Sequence, residues 1–325
     1  MRISSEILSF PLKTPFAITG HVWTHTDTLR VTVEDGEHRG VGEAVGSYYL
    51  NETAGTMQQD LRAALDALPH DLNPESLQSA MPACGVRNAL DCALWDLRAK
   101  QQGKRIWELL DLEPAPLTTV FTIGLASATI MAERAAAAAP FPHLKIKLDG
   151  DDPITRLEAI RAARPDASLV IDVNQGWRFD ELREYLPSCE RLGIAMIEQP
   201  LPRGEDEALE GLASPVLLGA DESCLHLGEF DAAARRYQVL NIKLDKCGGL
   251  TEGLALAKAA RASGMEVMVG NMTGTSLSMA PSYVIGQFCR FVDIDGPLLL
   301  AGDLPHGLNY RDGGIVDPPT AALWG

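Results

Sequence analysis

Residues 168–199, "SLVIDVNQGWRFDELREYLPSCERLGIAMIEQ", read as a strand, a helix and a second strand in close succession. "SLVIDV" and "IAMIEQ" are short apolar runs, and the segment between them is helix-like. Each run leads to a carboxylate, Asp172 in the first and Glu198 in the second. Two strands joined through a helix are expected to lie parallel in one sheet. This stretch therefore predicts an α/β protein with acidic side chains where its strands end.

The same alternation continues on both sides of this stretch, from Thr118 to Asp295. Helix-like segments, including one near "EDEALEGLA", separate eight strand signals: "TTVFTIG", "HLKIKL", "SLVIDV", "IAMIEQ", "PVLLGAD", "QVLNIKLD", "EVMVGN" and "RFVDID". Eight parallel strands joined by helices predict a closed (β/α)₈ barrel.

The first part of the chain has a different pattern. "RISSEILSF", "TLRVTVED" and "RGVGEAVG" predict a three-stranded β-meander, and helical patterns follow at 54–68 and over "VRNALDCALWDLRAKQQG", which Gly103 ends. We therefore predict an α+β unit over residues 1–115, the barrel over 116–297, and a segment over 298–325 that folds back over the N-terminal unit.

The bulk composition limits the partners of the protein. A net charge of −16 argues against nucleic acid or an anionic membrane, and no apolar run approaches the roughly 20 residues of a membrane span. The N-terminus lacks the apolar core of a signal peptide. The six cysteines are scattered, which favours reduced thiols in a cytoplasmic protein.

Charged residues recur in phase with the barrel units. Lys147, Asp172, Glu198, Asp221 and Lys243 are separated by 25, 26, 23 and 22 residues, and Asp293 and Asp295 lie two units further on. Any one of them could be a solvated charge at a strand end. Because active-site groups of such barrels come from the C-terminal ends of the strands, six in phase predict a ring at one mouth.

Three central members of this ring, Asp172, Glu198 and Asp221, are carboxylates that would repel each other without a cation. An all-oxygen set predicts Mg²⁺ first and Mn²⁺ second, with Asn174 holding the cluster by hydrogen bonding. Cationic neighbours of Lys147, namely Lys145 and the metal ion, would lower its pKa toward that of a usable base.

The two lysines at the ends of the ring indicate proton transfer. Lys147 and Lys243 would face a metal-held carboxylate from opposite sides and abstract the proton of the adjacent carbon, with the metal stabilising the enediolate. One lysine removes a proton and the other returns one, which inverts the centre. The pattern thus predicts racemisation or epimerisation.

These residues resemble the enolase superfamily, in its muconate-lactonizing subgroup, over nearly the whole chain. The resemblance implies a modified (β/α)₈ barrel with an N-terminal α+β capping domain. "KIK" resembles the K-x-K motif, "DVN", "EQP" and "ADES" the metal-ligand strands, and "NIKLDKCGGL" the second-lysine strand. The resemblance implies catalytic Lys147 and Lys243, metal ligands Asp172, Glu198 and Asp221, and substrate-binding Lys145, with Glu222 and Lys246 in supporting roles.

The last two strands resemble the dipeptide epimerases more narrowly. "MVG", with Met268 and Gly270, and "DID", with Asp293 and Asp295, are similar to the M-x-G…D-x-D signature of that family. A carboxylate pair on one side of a strand can bind an ammonium group. The resemblance implies that Met268, Gly270, Asp293 and Asp295 bind the substrate, a dipeptide whose C-terminal residue is epimerised.

The loop after the first strand departs from the family pattern. Ala-Glu epimerases tend to carry an arginine there, whereas "FAITGHVWTHTDT" has none and offers His21, Trp23 and His25 as lid contacts. An L-Ala-D/L-Glu-like substrate and a less acidic dipeptide both remain open.

Two competing interpretations share these residues. An o-succinylbenzoate synthase, an N-acylamino acid racemase or a cycloisomerase would use the same lysines and metal ligands without needing the aspartate pair. The second interpretation is a barrel that binds a ligand without turnover. The intact set of two bases and three metal ligands argues against it. The sequence leaves a homo-oligomer open.

Overall fold

The computed structural model describes residues 1–325, and the N-terminal part is a three-stranded antiparallel sheet with helices packed against it. The strands lie in the order β1 (Arg2–Ile18), β2 (His21–Asp35) and β3 (His38–Ala44). The helices are α1 (Ala54–Ala64), α2 (Pro74–Ala80), α3 (Gly85–Gln102) and α4 (Ile106–Leu110). The predicted α+β character of this part is confirmed, and we call it the cap.

Helix α3 lies directly against β3 because two glycines leave room for it. A Cβ atom at Gly40 would lie 2.1 Å from the backbone oxygen of Ala93, and one at Gly42 would lie 2.2 Å from that of Ala89. The helix ends at Gly103, which has a φ of 60°, as the sequence predicted. The other side of α3 contacts the barrel, so this helix joins the two parts.

The second part is a sheet of eight parallel strands, which confirms the predicted barrel fold. The strands, each paired with the next, are β5 (Phe121–Ile123), β6 (His143–Lys147), β7 (Ser168–Asp172), β8 (Ile194–Glu198), β9 (Leu217–Ala220), β10 (Val239–Ile242), β11 (Glu266–Val269) and β12 (Phe291–Val292). The outer helices are α5 (Ala128–Ala137), α6 (Pro153–Ala163), α7 (Phe179–Arg191), α8 (Phe230–Arg236), α9 (Leu244–Cys247), α10 (Leu250–Ala262), α11 (Ser276–Gly286) and α12 (Gly296–Leu299).

One predicted helix of the barrel is wrong. The "EDEALEGLA" segment forms only a short 3₁₀ turn, Glu207–Leu209. Gly211 follows with a φ of 80°, a left-handed conformation that does not continue a helix. The carboxylate of Asp206 accepts hydrogen bonds from Arg236 and from the hydroxyl of Tyr237, so this segment is fixed by side-chain bonds.

Side chains help to join the first and last strands of the barrel. The backbone N–H of Val120 donates to Val292, and the N–H of Thr122 donates to Oδ2 of Asp295 at 2.7 Å. The N–H of Ile294 donates to Oγ1 of Thr119. Asp295 therefore completes the backbone hydrogen bonding where two short strands meet.

The last residues of the chain contact helix α3 of the cap. Strands β13 (Tyr310–Arg311) and β14 (Ile315–Val316) pair with β4 (Leu117–Thr118). The indole N–H of Trp324 donates to Cys92, and the N–H of Gly325 donates to Asp96, both on α3. No helix of the chain has the combined length and apolarity that crossing a bilayer requires.

Candidate active site

The strand ends bring the predicted charged residues together at one mouth of the barrel. Lys147 is in register with Asp172, and Asp172 with Glu198. Asp221 and Lys243 directly follow β9 and β10. All five side chains are buried, the most exposed being Lys147 at 8%. Five charges thus share one enclosed site, and their contacts decide their chemistry.

Two lysines lie at opposite sides of three carboxylates. Nζ of Lys147 is 2.5 Å from Oδ2 of Asp172 and donates to Asn174 at 3.1 Å. Nζ of Lys243 is 2.6 Å from Oδ2 of Asp221. Each candidate base therefore touches a different carboxylate, and Glu198 lies on the strand between them.

Lys246 supports the same carboxylate from behind. Its Nζ donates to Oδ1 of Asp221 at 2.8 Å and to the backbone oxygen of that residue at 2.5 Å. The side chain is buried and does not line the cavity described below. This geometry suits the supporting role that the resemblance implied.

Lys145 lies two residues before Lys147 on β6, and therefore deeper in the barrel on the same face of the strand. Its Nζ is 2.8 Å from both Asp293 and Glu198 and 3.1 Å from Asp172. Burial alone would lower the pKa of Lys145, but these three carboxylates together raise it well above its usual range. Lys145 thus remains a cation that neutralises the acidic cluster, and it makes no direct contact with the cavity.

The carboxylates divide into strongly and weakly acidic members. Burial would raise the pKa of Asp172, but Lys147, Lys145 and Lys243 lower it to about 2. The pKa of Asp221 falls below its usual range against burial, because Lys243 and Lys246 contact it. Burial and then the charge of Asp172 raise the pKa of Glu198 to about 7.

The donor set fits a hard divalent cation. As the side chains stand, no three acidic, histidine or cysteine groups converge closely enough to hold a metal ion. Lysine ammonium groups engage Asp172 and Asp221 instead. Oε2 of Glu198 is buried and accepts no hydrogen bond, although Lys145 lies 2.8 Å away. Carboxylate oxygens are the ligands that Mg²⁺ prefers.

The carboxylates oppose the effect of burial on Lys243. Burial favours neutral Lys243, yet Asp221 and Glu198 raise its pKa above the usual range. The negative charge near Lys243 outweighs both its burial and the repulsion from Lys145. A divalent cation on the same carboxylates would offset much of that field, because its charge repels an ammonium group.

A cavity of about 600 Å³ lies between the cap and the barrel mouth. Lys147 and Lys243 both line it, as do Asn174 and Glu222. The opposite side of the cavity is lined by cap residues between Ile7 and Gly55, including Trp23. We call these lining residues the outer wall. The candidate bases thus face a space large enough for a small molecule.

Glu222 is the acidic residue of this cavity that has no partner. Its side chain is 1% exposed, and neither carboxylate oxygen accepts a hydrogen bond. Burial, and then the neighbouring charge of Asp221, raise its pKa to about 8. The supporting role implied for Glu222 therefore includes direct contact with the cavity.

The predicted lid loop is instead the end of a long β-hairpin. Residues Phe16, Ala17 and Ile18 pair with Trp23, Val22 and His21, and Gly20 turns the chain with a φ of 76°. Alternating β-branched and aromatic residues in "AITGHVWTHT" favour strands over a loop.

The hairpin tip rests on the barrel. The hydroxyl of Thr19 lies 3.2 Å from the backbone oxygen of Leu148 and 3.4 Å from that of Val173. The N–H of Leu125 donates to Ala17. Of the three predicted lid contacts, Trp23 and His25 line the cavity, whereas His21 does not and stacks on the Trp23 ring at 5.4 Å.

The aspartate pair lies beneath the cavity. Oδ2 of Asp293 is bound to Lys145, and its Oδ1 accepts from the side chain of Asn271, which lines the cavity. Asp295 accepts the N–H of Thr122, and burial followed by the charge of Asp293 raises its pKa to about 7. The two carboxylates are adjacent, and Asn271 lies between them and the open space.

Met268 and Gly270 occupy different layers of the barrel. Met268 is buried in an apolar cluster with Val170, Met196, Val239 and Phe291, and it does not line the cavity. A Cβ atom at Gly270 would lie 2.9 Å from Cε of Lys243. The structure thus places Gly270, and not Met268, against the candidate base.

Several residues of the site were missed by the sequence analysis. Tyr48 and Tyr49 line the cavity, and the side chains of Gln199 and Asn241 hold the acidic residues from behind. Asn241 donates to Oε1 of Glu198 at 2.7 Å. Asn241 lies two residues before Lys243 on the same strand, so strand alternation could have found it. No comparable signal marked the tyrosines.

This geometry is shared with a known family. Residues 7–111 match the mandelate racemase / muconate lactonizing enzyme N-terminal domain, and residues 129–321 match the enolase C-terminal domain-like family. The chain belongs to the enolase superfamily, which confirms the resemblance seen in the sequence.

Similar proteins of known activity are racemases and epimerases of amino acid derivatives. The chain is 38% identical to an N-acetyl-D-glutamate racemase from Pseudoalteromonas sp., over 91% of this chain and 94% of that one. It is 37% identical to the L-Ala-D/L-Glu epimerase of Escherichia coli, over 94% and 96%. An enolase family member from Agrobacterium tumefaciens with homology to dipeptide epimerases, solved with sodium and L-Ala-L-Glu, has a TM-score of 0.95, 42% identity and 99% coverage of both chains. Other dipeptide epimerases of this fold were solved with Mg and a dipeptide.

Proposed function

We propose that this chain is a Mg²⁺-dependent dipeptide epimerase, an isomerase that inverts the α-carbon of the C-terminal residue of its substrate. One observation carries the proposal. Lys147 and Lys243 face the same cavity from β6 and β10, and the carboxylates of Asp172, Glu198 and Asp221 lie between them. Relatives named as epimerases and racemases support the same reaction class.

The two lysines divide the proton transfer. One lysine, in its neutral form, takes the α-proton from one face of the substrate, while the ammonium group of the other donates a proton to the opposite face. After turnover their protonation states are exchanged, so the reverse reaction uses the same pair. Asn174, bonded to Lys147, and Asp221, bonded to Lys243, orient the two Nζ atoms.

Asp172, Glu198 and Asp221 would hold the Mg²⁺ ion, with Mn²⁺ as a substitute. When bound, the ion would neutralise the substrate carboxylate and stabilise the negative charge that develops there as the proton leaves. Asn241 and Lys246 keep Glu198 and Asp221 in place. Burial of the whole cluster excludes water and strengthens these interactions.

We assign the ammonium group of the dipeptide to Asp293 and Asp295. The two carboxylates lie side by side, and Asn271, whose amide reaches Asp293 at 2.8 Å and Asp295 at 3.5 Å, lines the cavity above them. A charge-assisted hydrogen bond to such a pair fixes the end of the substrate opposite to its carboxylate.

A second candidate is an N-acylamino acid racemase, which would use the same lysines. The relative named as an N-acetyl-D-glutamate racemase favours it, and so does the engagement of Asp293 and Asp295 by Lys145 and Thr122. An N-acyl substrate has no ammonium group, so the aspartate pair would be dispensable. A cycloisomerase or a barrel without turnover has no comparable support.

Deuterium exchange separates these candidates. The protein is incubated with Mg²⁺ in deuterated water, first with a panel of L-Ala-L-Xaa dipeptides and then with N-acetyl and N-succinyl amino acids. Epimerisation predicts deuterium at the α-carbon of the C-terminal residue, and EDTA should abolish it. Exchange only with N-acyl amino acids would replace the proposal by the racemase, and no exchange at all would favour the binding barrel.

The amino-acid composition bears on the compartment and the partners of the enzyme. All six cysteines are unpaired, which suits a reducing compartment, so we propose that the enzyme works in the cytoplasm. Its only proposed ligands are Mg²⁺ and a dipeptide. The negative charge of the chain opposes binding to nucleic acid.

A further inference from the structure

The outer wall of the cavity contains a cluster of aromatic rings, Trp23, Tyr48 and Tyr49. The rings of Trp23 and Tyr48 meet edge to face, with centroids 5.4 Å apart, and the ring of Tyr48 meets that of Tyr49 at 5.1 Å. His21 covers Trp23 and Tyr48 from outside the cavity. These contacts fix the rings against one another, so they offer a preformed surface to a bound side chain.

The charges of the outer wall are already engaged. Oε1 and Oε2 of Glu52 accept hydrogen bonds from the backbone N–H groups of Gly85 and Ser47, both at 2.8 Å. Oδ2 of Asp27 lies 3.7 Å from Nε2 of His25, near the solvent. The outer wall contains no lysine or arginine.

The cations of the cavity lie at its other end. Lys147 and Lys243 are the lysines that line it, and both contact metal-ligand carboxylates. A substrate carboxylate placed against the outer wall would therefore meet Asp27 and Glu52 with no opposing lysine or arginine, and burying a charge without a partner is costly. A substrate ammonium group would gain little binding free energy there. Glu52 already accepts two backbone hydrogen bonds, and an ion pair with solvent-exposed Asp27 is weak.

We propose that the epimerised residue of the dipeptide carries an uncharged aromatic or bulky apolar side chain, which packs on Trp23 and Tyr48. The inference rests on the proposed epimerase activity and names the substrate class for the same site. Burying such a side chain against the rings contributes binding energy through its apolar area, whereas glutamate and lysine cannot use that surface.

A comparison of dipeptide substrates tests the inference. Initial rates of epimerisation are measured with L-Ala-L-Phe, L-Ala-L-Leu, L-Ala-L-Glu and L-Ala-L-Lys under one set of conditions. We expect kcat/KM for the Phe or Leu dipeptide to exceed that for the Glu and Lys dipeptides by about tenfold or more, the effect of one buried apolar side chain. A higher kcat/KM for Glu or Lys would overturn the inference and leave the epimerase proposal intact. Exchange with no dipeptide would overturn both.

Variants of Trp23 locate the contact. Trp23→Ala should raise KM for L-Ala-L-Phe by about tenfold and raise KM for L-Ala-L-Ala much less, while Trp23→Phe retains most of the selectivity. Thr14→Ala, an exposed change on the same hairpin outside the cavity, serves as the control and should behave as wild type. Equal effects of Trp23→Ala on both dipeptides would show that the ring has a structural role only and would overturn the contact.

Discussion

The side chain of Gln199 holds the backbone of Asp221 from the neighbouring strand. Its Oε1 accepts the N–H of Asp221 and the N–H of Ser223, both at 3.0 Å, and its Nε2 donates to Leu201 at 2.7 Å. Gln199 is fully buried and has a φ of 36°, which is costly for a residue other than glycine. These bonds compensate for the strained backbone and place the third carboxylate of the site.

Replacing Gln199 by alanine should weaken metal binding. The change leaves two backbone N–H groups without an acceptor, and each such group costs about 1–3 kcal/mol when buried. We expect a lower free energy of unfolding in urea and a larger Kd for Mg²⁺ by calorimetry. Gln101→Ala, an exposed change on α3, should alter neither. An unchanged Kd in a folded Gln199→Ala variant would show that Gln199 does not position Asp221.

Alanine at either lysine of the proposed pair should abolish epimerisation. A general base contributes about 10²–10⁴-fold, so Lys147→Ala and Lys243→Ala should each lose at least that factor in two-way turnover. Each variant should still exchange deuterium into one enantiomer, because the remaining lysine serves one face. NMR of the separate L,L and L,D substrates measures this directly.

The control for the lysine variants is Lys104→Ala. Lys104 is exposed and follows helix α3 of the cap. It should keep wild-type rates, and circular dichroism should show all three variants folded. Near-normal two-way turnover by Lys147→Ala or Lys243→Ala would rule out the two-base mechanism.

The barrel and its ring of charges were predictable because both depend on local patterns. Strand runs that end on Asp172, Glu198 and Asp221 repeat at regular intervals, and the parallel sheet brings equivalent positions to one edge. The same logic placed Lys147 and Lys243 on either side. Nothing beyond the repeat was needed for this part of the site.

The contacts between the two parts of the chain were not predictable in the same way. Tyr48 and Trp23 reach the cavity only because the cap packs over the barrel, and no periodicity encodes that packing. Lys145 was expected to repel Lys147, but three carboxylates from distant strands surround it. Long-range electrostatics depends on the folded arrangement, which single motifs do not specify.

A methyl group at Gly270 should disturb the second lysine. The added Cβ would lie 2.9 Å from Cε of Lys243 and 2.7 Å from Oδ1 of Asn241, both closer than normal contacts. We expect Gly270→Ala to lower kcat by about tenfold or more through the altered position of Nζ. Mg²⁺ affinity should change less, because Asp172 and Asp221 are not displaced directly. Gly302→Ala, with no atom within 4 Å of the new Cβ, is the matched control.

Glu43 links the cap to the barrel and should make stability depend on pH. Its Oε1 accepts from the N–H of Thr275 at 3.0 Å and from the hydroxyl of Thr275 at 2.8 Å, and Thr275 is the N-cap residue of α11. Burial raises the pKa of Glu43 to about 7 from 4.5, although Thr275 and Arg30 oppose the shift. The folded protein therefore holds a proton there more tightly than the unfolded chain does.

The sign of the effect follows from this proton. Its stabilising contribution is fully present below the unfolded pKa of 4.5 and is lost as the pH rises through about 7. We expect the free energy of unfolding in urea to fall by up to about 3 kcal/mol between about pH 5 and pH 8, and less steeply in Glu43→Gln, which keeps the acceptor but cannot ionise. Glu37→Gln, at an exposed position, should follow the wild-type curve. Identical slopes for wild type and Glu43→Gln would show that Glu43 does not bind this proton.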